Sequence, residues 1–207
     1  MDTYGDIGIT PDDLFCVADD AQCGEMLAVA LSKRNVPKPV WIAHGELKMA
    51  LGLSDSAPSP GSTCVVCPVD ALRVIATAEN GKERMFVAVS NVIARDWWWR
   101  GELQIVTNSG YANGWEVCPR AHPGDGRFDH LTVDAEMSLM QRMLAWRKLR
   151  TRTHLPHLNL HVKQSIEVKF HWDLPLRLTV DGVDRGRYET VAIELIPNAL
   201  RVCSLII

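Results

Sequence analysis

Two patterns of apolar positions divide the chain. Between residues 63 and 207, short runs dense in Val, Ile and Leu follow one another: "TCVVCPV", "LRVIATA", "RMFVAVSNVIA", "ELQIVTNS", "HLTVD", "LHVKQSIEVKFHW", "LRLTVDG", "TVAIELI" and "LRVCSLII". Turn signals such as "ENGK", "GDG" and "DGVDRG" separate them. Many short strands at regular spacing predict an antiparallel sandwich or barrel. One helical stretch interrupts them, "AEMSLMQRMLAWRKLR" (135–150), whose spacing turns Met137, Met140, Met143 and Leu144 inward.

Before residue 54 the pattern changes. "PDDLFCVADDAQCGEMLAVALSKRN" (11–35) predicts a short strand and then an amphipathic helix, capped by Asp19 or Asp20, with Met26, Leu27, Ala30 and Leu31 on its apolar face. "VPKPVWIA" offers a strand near 39–43, and "GELKMALGL" a short helix ending near Gly52. "SDSAPSPGS" (54–62) reads as a linker. The expected fold is α+β and mainly β. It comprises a small α/β segment (1–53), a linker (54–62) and a β-sandwich domain with one inserted helix (63–207).

Composition narrows the class. At 47% apolar and 23% charged residues, the 207-residue chain can build a sizeable core. A formal charge of −3 gives no bulk attraction to nucleic acid. No apolar run approaches the ~18 residues of a spanning helix. The acidic start "MDTYGDIGITPDD" lacks the basic and apolar regions of a secretory signal, so the expected location is cytoplasmic. Of six cysteines, Cys64 and Cys67 form a lone C-x-x-C with no second pair for zinc, which predicts reduced, buried thiols.

Three stretches could carry chemistry. "RDWWWRGE" places Trp97, Trp98 and Trp99 before Arg100; as a strand, Trp97 and Trp99 would face one side and Trp98 the other. The reading is open between core plus sheet edge and a lipid, ligand or partner surface. "RKLRTRTHLPHLNLH" carries Arg147, Lys148, Arg150, Arg152 and His154, which either complement a helix C-terminus or bind an anionic head group. His154, His157 and His161 have zinc-ligand types but lie across an extended stretch with no paired carboxylate. "PRAHPGDGRFD" (119–129) is a charged, tightly bent turn. No nucleophile elbow, G-x-x-x-x-G-K-[ST] loop or H-E-x-x-H occurs.

Taken in chain order, several stretches resemble the bacterial diacylglycerol kinase and lipid kinase family. "HGELKMALGL" (44–53) is similar to the family's second phosphate loop, G-T-x-N-D-x-A-R, with its following A-L-G-L. "PVDALRVIATAENGK" is similar to its V-D-x-x-x-V strand and N-G turn. "GDGRFD" (124–129) is similar to its D-G-x-L-D turn, and "DGVDRGRYETVAIELIPNALRVC" to its D-G-E strand pair and P-x-A-L-x-V. The resemblance implies a C-terminal β-sandwich shared with NAD kinases, with residues 1–53 as a remnant of the nucleotide-binding domain. It also implies a divalent-metal site, Mg²⁺ or Ca²⁺, at the Asp125 side chain and the carbonyl oxygens of His122 and Arg127; the bare alternative is a metal-free turn.

Departures from the pattern point away from catalysis. No stretch reads as the family's phosphate-cradling G-G-D-G-T loop, and only ~38 residues stand where a nucleotide-binding domain would be. Asp181-Gly182-Val183 replaces D-G-E, and valine cannot act as the general base. The expectation is a non-catalytic, lipid-kinase-like module that binds a lipid-like molecule, a separate kinase domain or a second copy of itself. The alternative is an active lipid kinase, or its lipid-binding subunit, with a nucleotide domain supplied in trans.

Overall fold

The computed structural model describes residues 5–205. In chain order the elements are β1 (Asp6–Ile9), β2 (Phe15–Val17), α1 (Asp20–Ser32), β3 (Val40–Ile42), α2 (Glu46–Leu51), β4 (Thr63–Thr77), β5 (Glu83–Ala88), β6 (Asn91–Arg95), β7 (Leu103–Thr107), β8 (Tyr111–Ala112), β9 (Trp115–Glu116), β10 (Phe128–Val133), α3 (Leu139–Leu149), β11 (Leu160–Ser165), β12 (Glu167–Val180) and β13 (Val183–Ser204). The class is mainly β, as expected, with α3 as the inserted helix.

One continuous sheet runs β1-β4-β13-β12-β6-β7-β10-β11, with β5 on β4, β3 on β13 and β2 on β3. Strands read in the sequence as separate short runs merge into long ones. β13 is 22 residues long and continues through Pro197 and Asn198 by a register shift between Ile196 and Leu200. The run "LHVKQSIEVKFHW" breaks instead at Ile166 into β11 and β12. Segments before and after the 54–62 stretch share this sheet: β1 pairs antiparallel with β4, and β3 runs parallel to β13.

Three cores follow from the alternation of side chains along the strands. The first lies inside the curled sheet, where Leu72 and Val74 of β4, Val191 and Ile193 of β13, and Leu178 of β12 face Val92 of β6 and Phe128 of β10. Neighbouring residues on the middle strands, Ile93, Ile105 and Leu131, point the other way into a core beneath α3. Burial on both faces is why these strands read as unbroken Val/Ile runs. The third core joins α1 and α2 to the end of the sheet, through Cys23, Leu27 and Leu47 against Val69, Val89 and Val202.

α3 departs from the expected packing. It begins at Ser138, whose hydroxyl accepts from the Gln141 amide while the Gln141 side chain returns to the Ser138 amide, a capping box. Met137, just ahead of the helix, is buried as expected, but Met140, Met143 and Leu144 are exposed. The inward position belongs to Arg142. Its guanidinium donates to the carbonyls of Met137 (3.2 Å), Trp98 (3.2 Å), Asp134 (3.0 Å) and Gly101, and so turns the helix over. Trp97 to Trp99 form no strand, since β6 ends at Arg95; the alternation expected for them does not apply. No helix among the described residues is long and apolar enough to cross a membrane.

Candidate functional site

The fold gathers buried polar groups where α1 and α2 meet the end of the sheet. β2 leads through Ala18–Asp19 into α1, which brings two carboxylates to one turn. Asp19 caps α1 by accepting from the Gln22 amide at 2.8 Å, while Gln22 Oε1 accepts from the Ala18 amide at 2.6 Å. Asp20 reaches the neighbouring helix: its Oδ2 accepts from the Glu46 amide at 2.7 Å and the Leu47 amide at 3.2 Å. α2 has no side-chain cap of its own, only Gly45 at φ 134°, so Asp20 caps it from across the gap. A Cβ at Gly45 would sit 2.3 Å from Asp20 Oδ1.

Glu46 and Asp181 complete the cluster. Glu46 accepts from the Gly114 amide at 2.7 Å, from the Ser90 hydroxyl at 3.3 Å and from the Asn91 side-chain amide. Asp181, at φ 45° in the β12–β13 turn, accepts from three consecutive amides, Val89, Ser90 and Asn91, each at 2.9 Å. Burial pushes Asp20 up to about 6 against the pull of its two amides, with the Glu46 and Asp19 carboxylates adding to the rise. Burial raises Glu46 as well. It lifts Asp181 to about 8, helped by the Asp20 charge and opposed by the three amides. These are acids held where water cannot fully solvate them.

From Gly114 the polar cluster gives way to an apolar cavity of about 400 Å³ between the sheet and α3. Leu103, Ile105 and Leu131 supply the sheet side, and Trp98, Trp115 and Trp146 much of the rest. The rings interlock edge to face: Trp146 lies 6.1 Å from Trp115 and 6.3 Å from Trp99. Arg95, Asn113, Arg142 and His154 are the polar residues of this lining. The Arg95 guanidinium lies 4.1 Å from the Trp98 ring centre. His154, 3% exposed, donates from Nε2 to the Val117 carbonyl at 2.9 Å, and its buried Nδ1 has no partner among the described residues.

The residues singled out from sequence divide accordingly. Trp98, Trp99 and His154 line the cavity; Trp97 is exposed beside it with Arg100. Arg150 lies over the Trp115 and Trp146 rings, Arg152 pairs with Glu116, and Arg147 is exposed near the end of α3. Arg100 and Arg147 line one groove beside α3, while Arg150 and Arg152 are held by the aromatic rings and by Glu116. His157 accepts from the Asn159 amide and His161 meets Asp134, so the three histidines go separate ways. Among the described residues no group of three His, Cys, Asp or Glu is placed to hold a metal.

At the opening turn, Asp125 Oδ1 accepts from the Arg127 amide at 3.1 Å, and the Asp125 amide donates to the His122 carbonyl at 3.3 Å. Two of the oxygens expected to hold a cation, Asp125 Oδ1 and the His122 carbonyl, accept from the turn's own amides. Asp70 organises this turn, accepting from the Gly126 amide at 2.9 Å and, from the far strand, the Asn198 amide at 2.8 Å.

Sequence reasoning passed over Glu46, Asn91, Ser90 and Arg142 as site residues. Their signals were present: polar "SN" inside the apolar run "VAVSNVIA", and an arginine inside an apolar helical stripe.

Comparison with known proteins places the fold. The profile of the YegS C-terminal NAD kinase beta sandwich-like domain matches residues 65–204. No curated protein matches the chain. A solved diacylglycerol kinase from Bacillus anthracis str. Sterne superposes with a TM-score of 0.57 at 14% identity, covering 92% of this chain and 77% of that one. A further structure from that organism, provisionally designated a diacylglycerol kinase, gives 0.58 at 12% identity, covering 93% and 78%. At that identity the likeness speaks for a shared fold.

Proposed function

The chain belongs to the family of the YegS C-terminal NAD kinase beta sandwich-like domain, and from that premise we propose that it is a ligand-binding, non-catalytic relative of the diacylglycerol kinases. Its cavity takes the acyl portion of a lipid-like molecule. A space of about 400 Å³, walled by Trp and aliphatic side chains, suits one or two acyl chains of a small lipid. Arg142 commits four of its five N–H donors to backbone carbonyls, which leaves little of it to bind an anionic head group. His154 Nδ1 offers a single acceptor, which suits a hydroxyl.

The observation that carries the non-catalytic reading is the state of the two helix N-termini. A kinase of this architecture cradles nucleotide phosphates on such ends, where free amides and the helix dipole favour negative charge. α1 and α2 present these two N-termini, the second at Gly45–Leu47, in the stretch similar to the family's second phosphate loop. At the start of α1 the Ala18 amide donates to Gln22 Oε1 and the Gln22 amide to Asp19 Oδ1. The amides of the second loop are closed by Asp20. Carboxylates stand where phosphates would bind, and like charge repels them.

At the position of the family's general base stands Val183. Asp184 turns outward, to the Gly186 amide and to Arg177 at 3.6 Å. Titration with a water-soluble brominated monoacylglycerol should quench the cavity tryptophans saturably. Ala112→Phe, which fills the cavity from the β8–β9 hairpin, should abolish the quench. ATP with Mg²⁺ should produce no saturable change in fluorescence or melting temperature. Lipid-dependent ATP consumption by the purified chain would replace this reading with an active kinase.

A further inference from the structure

α3 carries its apolar stripe toward solvent. Leu139, Met140, Met143 and Leu144 all lie at the surface, with Met140 73% exposed, because Arg142 occupies the inward position. An amphipathic helix on a soluble protein buries such a stripe, and a contiguous exposed one marks contact with another apolar phase. Trp97 stands beside it, also exposed, and a shallow groove runs between Trp97 and α3. That groove shares Trp99 and Trp146 with the internal cavity.

Charge selects the occupant. Arg100, Arg147, Lys148 and Arg150 border the stripe, and none makes an ion pair among the described residues. α3 holds no acidic residue, and Glu136 lies ahead of it. This is a local positive face on a chain whose formal charge is −3. A second copy related by a two-fold axis would bring the same four cations against these, so a self-interface is disfavoured.

We propose that the α3–Trp97 face docks onto an anionic lipid bilayer. Leu139, Met140, Met143, Leu144 and Trp97 enter the boundary between head groups and acyl chains, and the four cations lie along the lipid phosphates. Trp suits this depth because its ring is apolar with one polar edge, and Arg and Lys extend to the head groups from apolar stems. Ala145 and Leu149 on the opposite side of α3 line the cavity, and Trp146 lies between cavity and groove. A docked helix therefore holds the cavity against the lipid phase, so an acyl ligand enters without crossing water. That last step rests on the proposed cavity ligand; the docking itself does not.

Co-sedimentation of the full chain with vesicles tests the docking. The chain should pellet with mixed phosphatidylcholine–phosphatidylglycerol vesicles and at least tenfold more weakly with phosphatidylcholine alone. Arg147→Gln and Lys148→Gln should each weaken binding about fivefold. Met140→Glu with Leu144→Glu should abolish it, with melting temperature and monoacylglycerol quenching unchanged. The proposal is overturned by equal binding to both vesicle types, by no binding, or by binding that the double variant retains. A concentration-dependent dimer broken by Leu144→Glu overturns it too, since a second copy would then cover the face. Docking without tryptophan quenching would sink the cavity reading and leave the docking standing.

Discussion

Asp20→Asn should stabilise the protein at alkaline pH, and the size of the gain follows from the site. Asp20 is buried at the junction of α1 and α2, and burial raises it from its ordinary 3.8 to about 6. A difference of about two units is worth roughly 3 kcal/mol at ~1.4 kcal/mol per unit. The folded-state value lies above the unfolded one, so the folded chain holds the extra proton between them. Asp20's contribution to stability is therefore present below about pH 4 and is lost as pH rises through about 6.

Asparagine keeps one oxygen to accept from the Glu46 and Leu47 amides. It places its NH₂ where Oδ1 has no partner among the described residues. The variant should exceed the parent by about 3 kcal/mol at pH 8, roughly 6–12 °C in melting temperature for a chain of this size. The gain should shrink to about 1 kcal/mol at pH 4.5. Urea unfolding at both pH values measures it. A variant no more stable than the parent at pH 8 would refute the reasoning, because it would mean that the buried charge is compensated. The parent should also lose stability from pH 5 to 8 more steeply than the variant, since the Asp20 charge adds to the rise of Asp181.

Asp70→Ala should cost about 3 kcal/mol, because two amides lose a buried charged acceptor. Asp125→Ala should cost below about 1 kcal/mol, and Mg²⁺ should leave the melting temperature of either protein unchanged; urea unfolding decides the first and thermal unfolding with and without the ion the second. Arg142→Leu removes the donor to four carbonyls and should release α3 and the Trp97–Arg100 loop. Limited trypsin digestion should then cut at Arg147 and Lys148 at least tenfold faster, with monoacylglycerol quenching lost; unchanged digestion would contradict the anchoring role.

What the sequence made legible was set by local physics. Alternating apolar runs and turn residues marked the sandwich, and β2, α1, β3 and α2 lie where capping and periodicity put them. Family motifs in chain order pointed to the matched domain. The orientation of α3 was not legible, because apolar periodicity names the wrong face once a buried arginine finds four carbonyls. The separation of Asp19 from Asp20 was equally hidden. Both are good caps, and only the tertiary approach of α2 decides that one serves its own helix and the other its neighbour's. The Asp125 turn was correctly placed as a bend, while its organiser, Asp70, lies 56 residues away in sequence and reaches it only through the sheet.

Native mass spectrometry of the chain incubated with a diacylglycerol, ATP and Mg²⁺ tests the central claim most directly. The account predicts a one-to-one complex with unmodified diacylglycerol, no nucleotide adduct and no phosphorylated lipid. A nucleotide adduct accompanied by phosphatidic acid, or the absence of any lipid complex, would contradict it.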